Sequence, residues 1–239
     1  MTFKQYMMEN YVKIPERINL QIDKMSHRII DLIKDYQNKL LLKKDEPYFI
    51  GAFEDQNIII KIYCTESPTF GIHPGANASV YIKPPKPFAI YIHINNVIKY
   101  GRNSLSSMSK LLMHELTHIF DKHIGTGHTK KRYNSKWEWY AYAKTPYEIN
   151  ARLNEYLYNI EMTIKSAPRE KRLHIYNIYM RFLKTDHKEI IRHYVDTIIS
   201  TEDSKALFIK RIMTNKKFIK QLINATYKYL NVLKDKYDF

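Results

Sequence analysis

A chain of 239 residues that is 44% hydrophobic and 13% aromatic can bury a sizeable core, which excludes wholesale disorder and allows one large domain, or one domain with a helical appendage. Its single cysteine, Cys64, excludes an intramolecular disulfide and a cysteine-based structural zinc site. The net charge of +15, from 39 Lys and Arg against 24 Asp and Glu, attracts nucleic acid or acidic partners, although the richness in Lys, Ile, Asn and Tyr also fits a coding bias and no nucleic-acid motif stands out.

Ile18, Ile22, Met25, Ile29, Leu32, Tyr36 and Leu40 recur at helical spacing, which predicts a first helix from about Pro15 to Leu42. Pro15 suits the first turn of that helix, and Lys43 to Pro47 ends it. The pattern then changes. Tyr48 to Phe53 and Asn57 to Tyr63 read as strands joined by a turn at Glu54-Asp55-Gln56. Ser67 to Asn77 holds Pro68, Gly71, Pro74 and Gly75 and reads as a loop. Ala78 to Lys83 and Phe88 to Ile94 read as two further strands, split by Pro84-Pro85-Lys86-Pro87. A helix follows from Ser104–Ser107 to about His123, stopped by Gly125-Thr126-Gly127, and Thr129 to Lys144 is a loop. A second helix begins at Thr145-Pro146 and runs to about Lys165. Beyond Pro168 the chain is helical and basic, with breaks near Thr185-Asp186 and Thr201-Glu202. These elements make an α+β protein with a sheet of three to five strands. The expected layout is a helical segment over 1–47, a core over 48–166 and a basic helical region over 167–239, with no internal repeat.

The motif that carries chemistry is His114-Glu115-Leu116-Thr117-His118. On a helix, residues four apart share a face, so both imidazoles can meet one metal ion. Glu115 follows the first ligand directly, and its carboxylate can reach a water at the metal's open position as a general base. Leu111, Leu112, Met113, Ile119 and Phe120 give the motif an apolar helical setting.

A catalytic zinc needs a third protein ligand. A histidine six residues beyond the motif is not available, because Ile124 stands there and His123 is one position early. A glutamate at the front of the next helix serves better, and Glu148 fits best. Thr145-x-x-Glu148 is also a capping box with Pro146 at the first helical position, which needs no metal. Glu155, His123, His128 and Asp121 remain as alternatives.

With these residues the chain resembles the glu-zincins, which combine H-E-x-x-H with a downstream helical glutamate. The stretch Tyr142-Ala143-Lys144-Thr145-Pro146-Tyr147-Glu148-Ile149-Asn150-Ala151-Arg152 looks like that of small metallopeptidases encoded by bacteriophages. The resemblance covers roughly residues 78–160 and implies a zincin-like core, with a small mixed sheet over the motif helix. It implies that His114, His118 and Glu148 bind Zn2+ and that Glu115 is the general base of a metalloendopeptidase. One position departs from the pattern. Members of that group keep an Asp four residues after the ligand glutamate to brace a zinc-bound histidine, and Arg152 stands here. The bracing group would then come from elsewhere, with Asp121 and Glu155 as candidates.

Tyr142 and His128 are the candidate donors to a developing oxyanion, with Tyr140 and Tyr147 as weaker ones. Trp137 and Trp139 can line a cleft or anchor a core, and His73 and His93 read as structural. The expected partners are a peptide or protein substrate and, through the basic C-terminal region, an acidic protein or nucleic acid. A catalytically inert zincin-like binding protein of a phage or mobile element is the competing reading. Residues 1–10 lack a signal-peptide pattern and no stretch has transmembrane length, so a cytoplasmic protein is expected, in the host cytoplasm if phage-encoded.

Overall fold

Two isoleucine-bearing apolar runs form the middle of a four-stranded sheet. The computed structural model describes residues 14–37, 47–56, 58–67, 76–81, 88–121, 146–198 and 215–238. Strands β1 (Tyr48–Asp55), β2 (Ile58–Thr65), β3 (Ala78–Tyr81) and β4 (Phe88–His93) lie in the order β1-β2-β4-β3. β1 and β2 are antiparallel, β2 and β4 parallel, and β3 and β4 antiparallel. The sheet is therefore mixed, and the fold class is α+β. Strand periodicity sends alternate residues to opposite faces. Phe53, Ile60, Ile62, Ile90 and Ile92 are fully buried on one face. On the other face Phe49, Tyr63 and Tyr91 form an aromatic row across β1, β2 and β4, with ring centroids 5.5 and 5.3 Å apart.

Helices α1 (Glu16–Asn19), α2 (Ile22–Gln37), α3 (Ile94–Lys99) and α4 (Leu105–Phe120) complete this part of the chain. The single helix expected over 15–42 is thus two helices, and residues 38–46 lie outside the described residues. The break at Leu20 and Gln21 has a physical cause. Gln21 uses both ends of its side-chain amide on the backbone of Glu54: Nε2 donates to the carbonyl at 2.9 Å and Oε1 accepts from the N–H at 3.2 Å. That contact blunts the outer edge of β1. Close by, a Cβ at Gly51 would stand 3.1 Å from Arg28 Nη1 and 3.2 Å from Met25 Cε, so glycine lets α2 lie close against the strand.

α2 packs on β1, α4 packs on β3, and the two helices pack on each other. Ser26 and Ser109 are buried where α2 meets α4 and share a hydrogen bond of 2.9 Å. These small side chains satisfy one another and keep the helices close. The motif helix does not follow β4 directly, as the sequence pattern had implied. α3 intervenes, and Gly101, at φ +65°, turns the chain in the left-handed region before α4 begins.

Packing divides the chain between Ala151 and Arg152, whereas the composition shifts lie at 47 and 166. The division falls inside α5 (Pro146–Ser166), the second predicted helix. α6 (Arg169–Thr185), α7 (His187–Ile198) and α8 (Lys216–Tyr237) belong to the unit that contains Arg152–Phe239. The break predicted at Thr185-Asp186 separates α6 from α7, and the one near Thr201 lies outside the described residues. The second unit is built around aromatic rings: Tyr156 meets Tyr194 edge-on at 5.5 Å, and Tyr194 meets Phe218 at 5.4 Å. Glu161 is buried there among Lys236 Nζ, Tyr229 and Tyr237. Burial pushes its carboxyl up, but these donors outweigh burial and hold it below the usual range. Tyr176, Tyr179 and Leu183 form the buried face of α6, while Leu173 is 45% exposed. No helix among the described residues is long and apolar enough to cross a membrane.

His93, at the end of β4, is fully buried. Thr65 donates to the carbonyl of Ser67 at 3.2 Å, so its Oγ1 can accept from His93 Nδ1 at 3.0 Å, and Ser79 Oγ lies 3.1 Å from Nε2. The ring thus bridges β2, β4 and β3 in its neutral form. Burial lowers its pKa to about 4. Stability from this group is complete above the unfolded value near 6.5 and is lost as pH falls through about 4. That loss amounts to at most about 3 kcal/mol. Urea melts across pH 7 to 3.5 should show a smaller acid loss in His93→Gln than in the wild type.

Candidate metal centre

α4 is a helix that the fold holds on most sides. Ser104 caps its start, accepting from the Ser107 N–H at 3.3 Å. Met108, Leu111, Leu112, Leu116 and Ile119 are buried along it. It ends at Phe120, three residues before the predicted stop at His123. Asp121 turns to extended backbone (φ −74°, ψ 117°) while its N–H still closes on Thr117 O at 2.8 Å.

Within this helix the i, i+4 spacing does what the sequence implies. His114 Nε2 and His118 Nε2 stand 3.2 Å apart, with the rings edge-on and their centroids 4.8 Å apart. Glu148, in the first turn of α5, straddles the pair. Its Oε1 is 3.6 Å from His114 Nε2 and its Oε2 is 3.4 Å from His118 Nε2. The helix dipole favours negative charge at this position. Glu148 is 1% exposed and His118 8%, so this is not a cluster of solvated acids. Burial of a carboxylate is costly unless polar groups face it, and here two imidazoles do.

The spacing of the three donors fits one metal ion. Tetrahedral bonds of about 2.0–2.1 Å to nitrogen and oxygen set neighbouring donor atoms roughly 3.4 Å apart. The two imidazole nitrogens are 3.2 Å apart and each faces a different oxygen of the Glu148 carboxylate, at 3.6 and 3.4 Å; one ligand atom from each residue lies within 4.8 Å of the others. Among the described residues, His114, His118 and Glu148 form the group of donors able to hold a metal ion.

Glu115 is buried on the same helix and is not a member of that cluster. Two alternative third ligands are also excluded from the cluster. Glu155 is buried two turns further along α5, and the Asp121 carboxylate instead accepts from Asn150 Nδ2 at 2.9 Å. Tyr140, Tyr142, His123, His128, Trp137 and Trp139 lie outside the described residues, as does Thr145 of the capping box. His73 lies outside them too, and His93 belongs to the sheet. Asn150 escaped the sequence reading, since an amide in a helix carries no signal of its partner. No protein-family model matches the chain, and no curated protein or solved structure is significantly similar to it.

Zinc at a hundred times its Kd should stabilise the protein by about 2.7 kcal/mol, raising the melting temperature by roughly 5–10 °C. Glu148→Gln replaces an anionic donor by an amide and should weaken zinc binding by more than about a hundredfold. It should leave the metal-free melt nearly unchanged, because Gln also completes a capping box. Unchanged affinity would leave Glu148 as a cap alone.

Proposed function

We propose that this chain is a zinc metalloendopeptidase with a zincin-like core, in which His114, His118 and Glu148 hold the ion and Glu115 is the general base. The observation that carries the reading is the convergence of two imidazole nitrogens and a buried carboxylate at 3.2, 3.4 and 3.6 Å. Adjacency of Glu115 to the first histidine supports hydrolysis rather than simple metal storage, since a structural site needs no base beside it.

When bound, zinc lowers the pKa of a water towards neutrality and polarises the scissile carbonyl. The two histidines would supply neutral donors and Glu148 one negative charge, so a bound divalent ion would keep a net positive charge. Glu115 takes the proton of the attacking water as the C–O bond forms. It returns that proton to the amide nitrogen as the C–N bond breaks, so one water is consumed for each bond cleaved. The burial of Glu115 keeps bulk water from competing for this proton. Among the described residues β3 is an edge strand in contact with α4, and its outer edge suits an extended peptide that pairs through main-chain hydrogen bonds. Oxyanion donors from Tyr142 and His128 remain part of the proposal.

Elemental analysis of the purified protein should find one zinc per chain. Glu115→Gln should keep that zinc and lose cleavage of a peptide library by about 10²–10⁴-fold. Equal turnover by the variant, or full zinc at unchanged affinity in His114→Ala, would refute the assignment.

The exposed Lys and Arg of α6 and α8, among them Arg169, Lys171, Lys184, Lys217, Lys228 and Lys234, support attraction of an acidic protein or nucleic acid. The Debye length falls from about 10 Å at 0.1 M salt to about 3 Å at 1 M, so such binding should be lost across that range. Fluorescence anisotropy with single-stranded nucleic acid and acidic peptides measures it, and the absence of binding at low salt would remove this partner class.

A further inference from the structure

A three-donor centre assembled from two helices works only if the helices are held in register. Metal–ligand bonds tolerate displacements of a few tenths of an ångström, roughly the ±0.2 Å by which ligand distances vary. His114 and His118 share one rigid helix, so their spacing needs no further support. Glu148 is different. It arrives on α5, and residues 122–145 separate that helix from the end of α4.

A buried bond ties the two helices at this end. Asn150 Nδ2 donates to Asp121 Oδ2 at 2.9 Å. Asp121 is 4% exposed and Asn150 7%, so water competes little for either group. Asp121 follows His118 by three residues, and Asn150 follows Glu148 by two. Asp121 is also the residue at which α4 leaves helical geometry, which frees its side chain from the helix surface. We propose that Asp121 and Asn150 are positioning residues, a clasp whose hydrogen bond sets the gap between the Glu148 carboxylate and the histidine pair and so sets the metal affinity. The inference rests on the metal-site reading of the three donors.

The clasp acts through Glu148 and touches neither metal nor substrate. Without it the first turn of α5 can drift from α4 while each helix keeps its own hydrogen bonds. Loss of the clasp should therefore appear in metal binding before it appears in the fold. Its chemistry needs one donor and one acceptor, and which helix carries which is immaterial.

The experiment compares zinc affinity, by competition with a chromogenic chelator, in the wild type, in Asn150→Ala and in the exchanged pair Asp121→Asn/Asn150→Asp. Asn150→Ala should bind zinc about 10–100-fold more weakly, the usual range for an outer-shell partner, with its metal-free circular dichroism retained. The exchanged pair restores one donor facing one acceptor and should return to within about threefold of the wild type, the context scatter of such contributions. The visible spectrum of the cobalt(II)-loaded protein should change in Asn150→Ala and recover in the exchanged pair, a response that general destabilisation would not give. If Asn150→Ala fails to fold, the exchanged pair and Asp121→Asn, which keeps an acceptor oxygen, carry the test. Wild-type affinity in Asn150→Ala, or weak binding in a folded exchanged pair, would overturn the clasp and leave the metal site standing. A wild type that takes up no zinc would overturn both.

Discussion

Burial of α4 is the constraint on which the rest of this structure depends. The helix is packed between α2 and β3, yet Ser109, Glu115, Thr117, His118 and Asp121 are buried on or just after it. A helix so placed could be apolar throughout at lower cost, because each buried polar group must find a partner. Several partners are evident. Ser109 meets Ser26 on α2, Thr117 returns its hydroxyl to the Met113 carbonyl at 2.8 Å, and Asp121 meets Asn150. The histidines meet each other and Glu148. The polar residues thus divide into those that settle the helix in place and those that converge on a point.

That division explains the surrounding architecture. Gly51 leaves room for the Met25 and Arg28 side chains of α2 against β1, and the paired serines let α2 and α4 approach closely. Gln21 and the break between α1 and α2 fasten the far side of the same layer to β1. The sheet carries its own polar fastening in His93, which joins Thr65 and Ser79 across three strands. The two kinds of histidine differ in what faces them. His93 meets two hydroxyl groups that satisfy a neutral ring, whereas His114 and His118 meet each other and a carboxylate. Only the second arrangement brings together donors that could hold a metal ion.

The acidic groups on α5 show the same contrast. Glu148 faces two imidazoles, whereas Glu161 faces a lysine and two tyrosine hydroxyls that balance it. Both sit on one helix, four turns apart at most, in different units of the chain. Glu161 thereby acts as a packing anchor for α8, while Glu148 leaves its charge directed at the histidine pair. Helix position alone does not separate these roles, since both residues are buried and acidic.

How much was legible in the sequence follows from the range of each interaction. The histidine pair was legible because both residues lie on one helix, and helical geometry follows from local spacing and apolar flanks. The strands were legible for the same reason, through runs such as Ile58-Ile59-Ile60 and a period of two. Glu148 was legible as a candidate, but its place against the histidine pair was not, because a capping box and a metal ligand ask for the same residue at the same position. The break at Gln21, the early end of α4 at Asp121 and the unit boundary inside α5 were not legible. Gln21 responds to Glu54, and Asp121 to Asn150, partners that lie far along the chain. Local spacing by itself determined which residues could share a face. Which faces meet was decided only by the tertiary structure, because a hydrogen bond between distant residues leaves no period in the sequence.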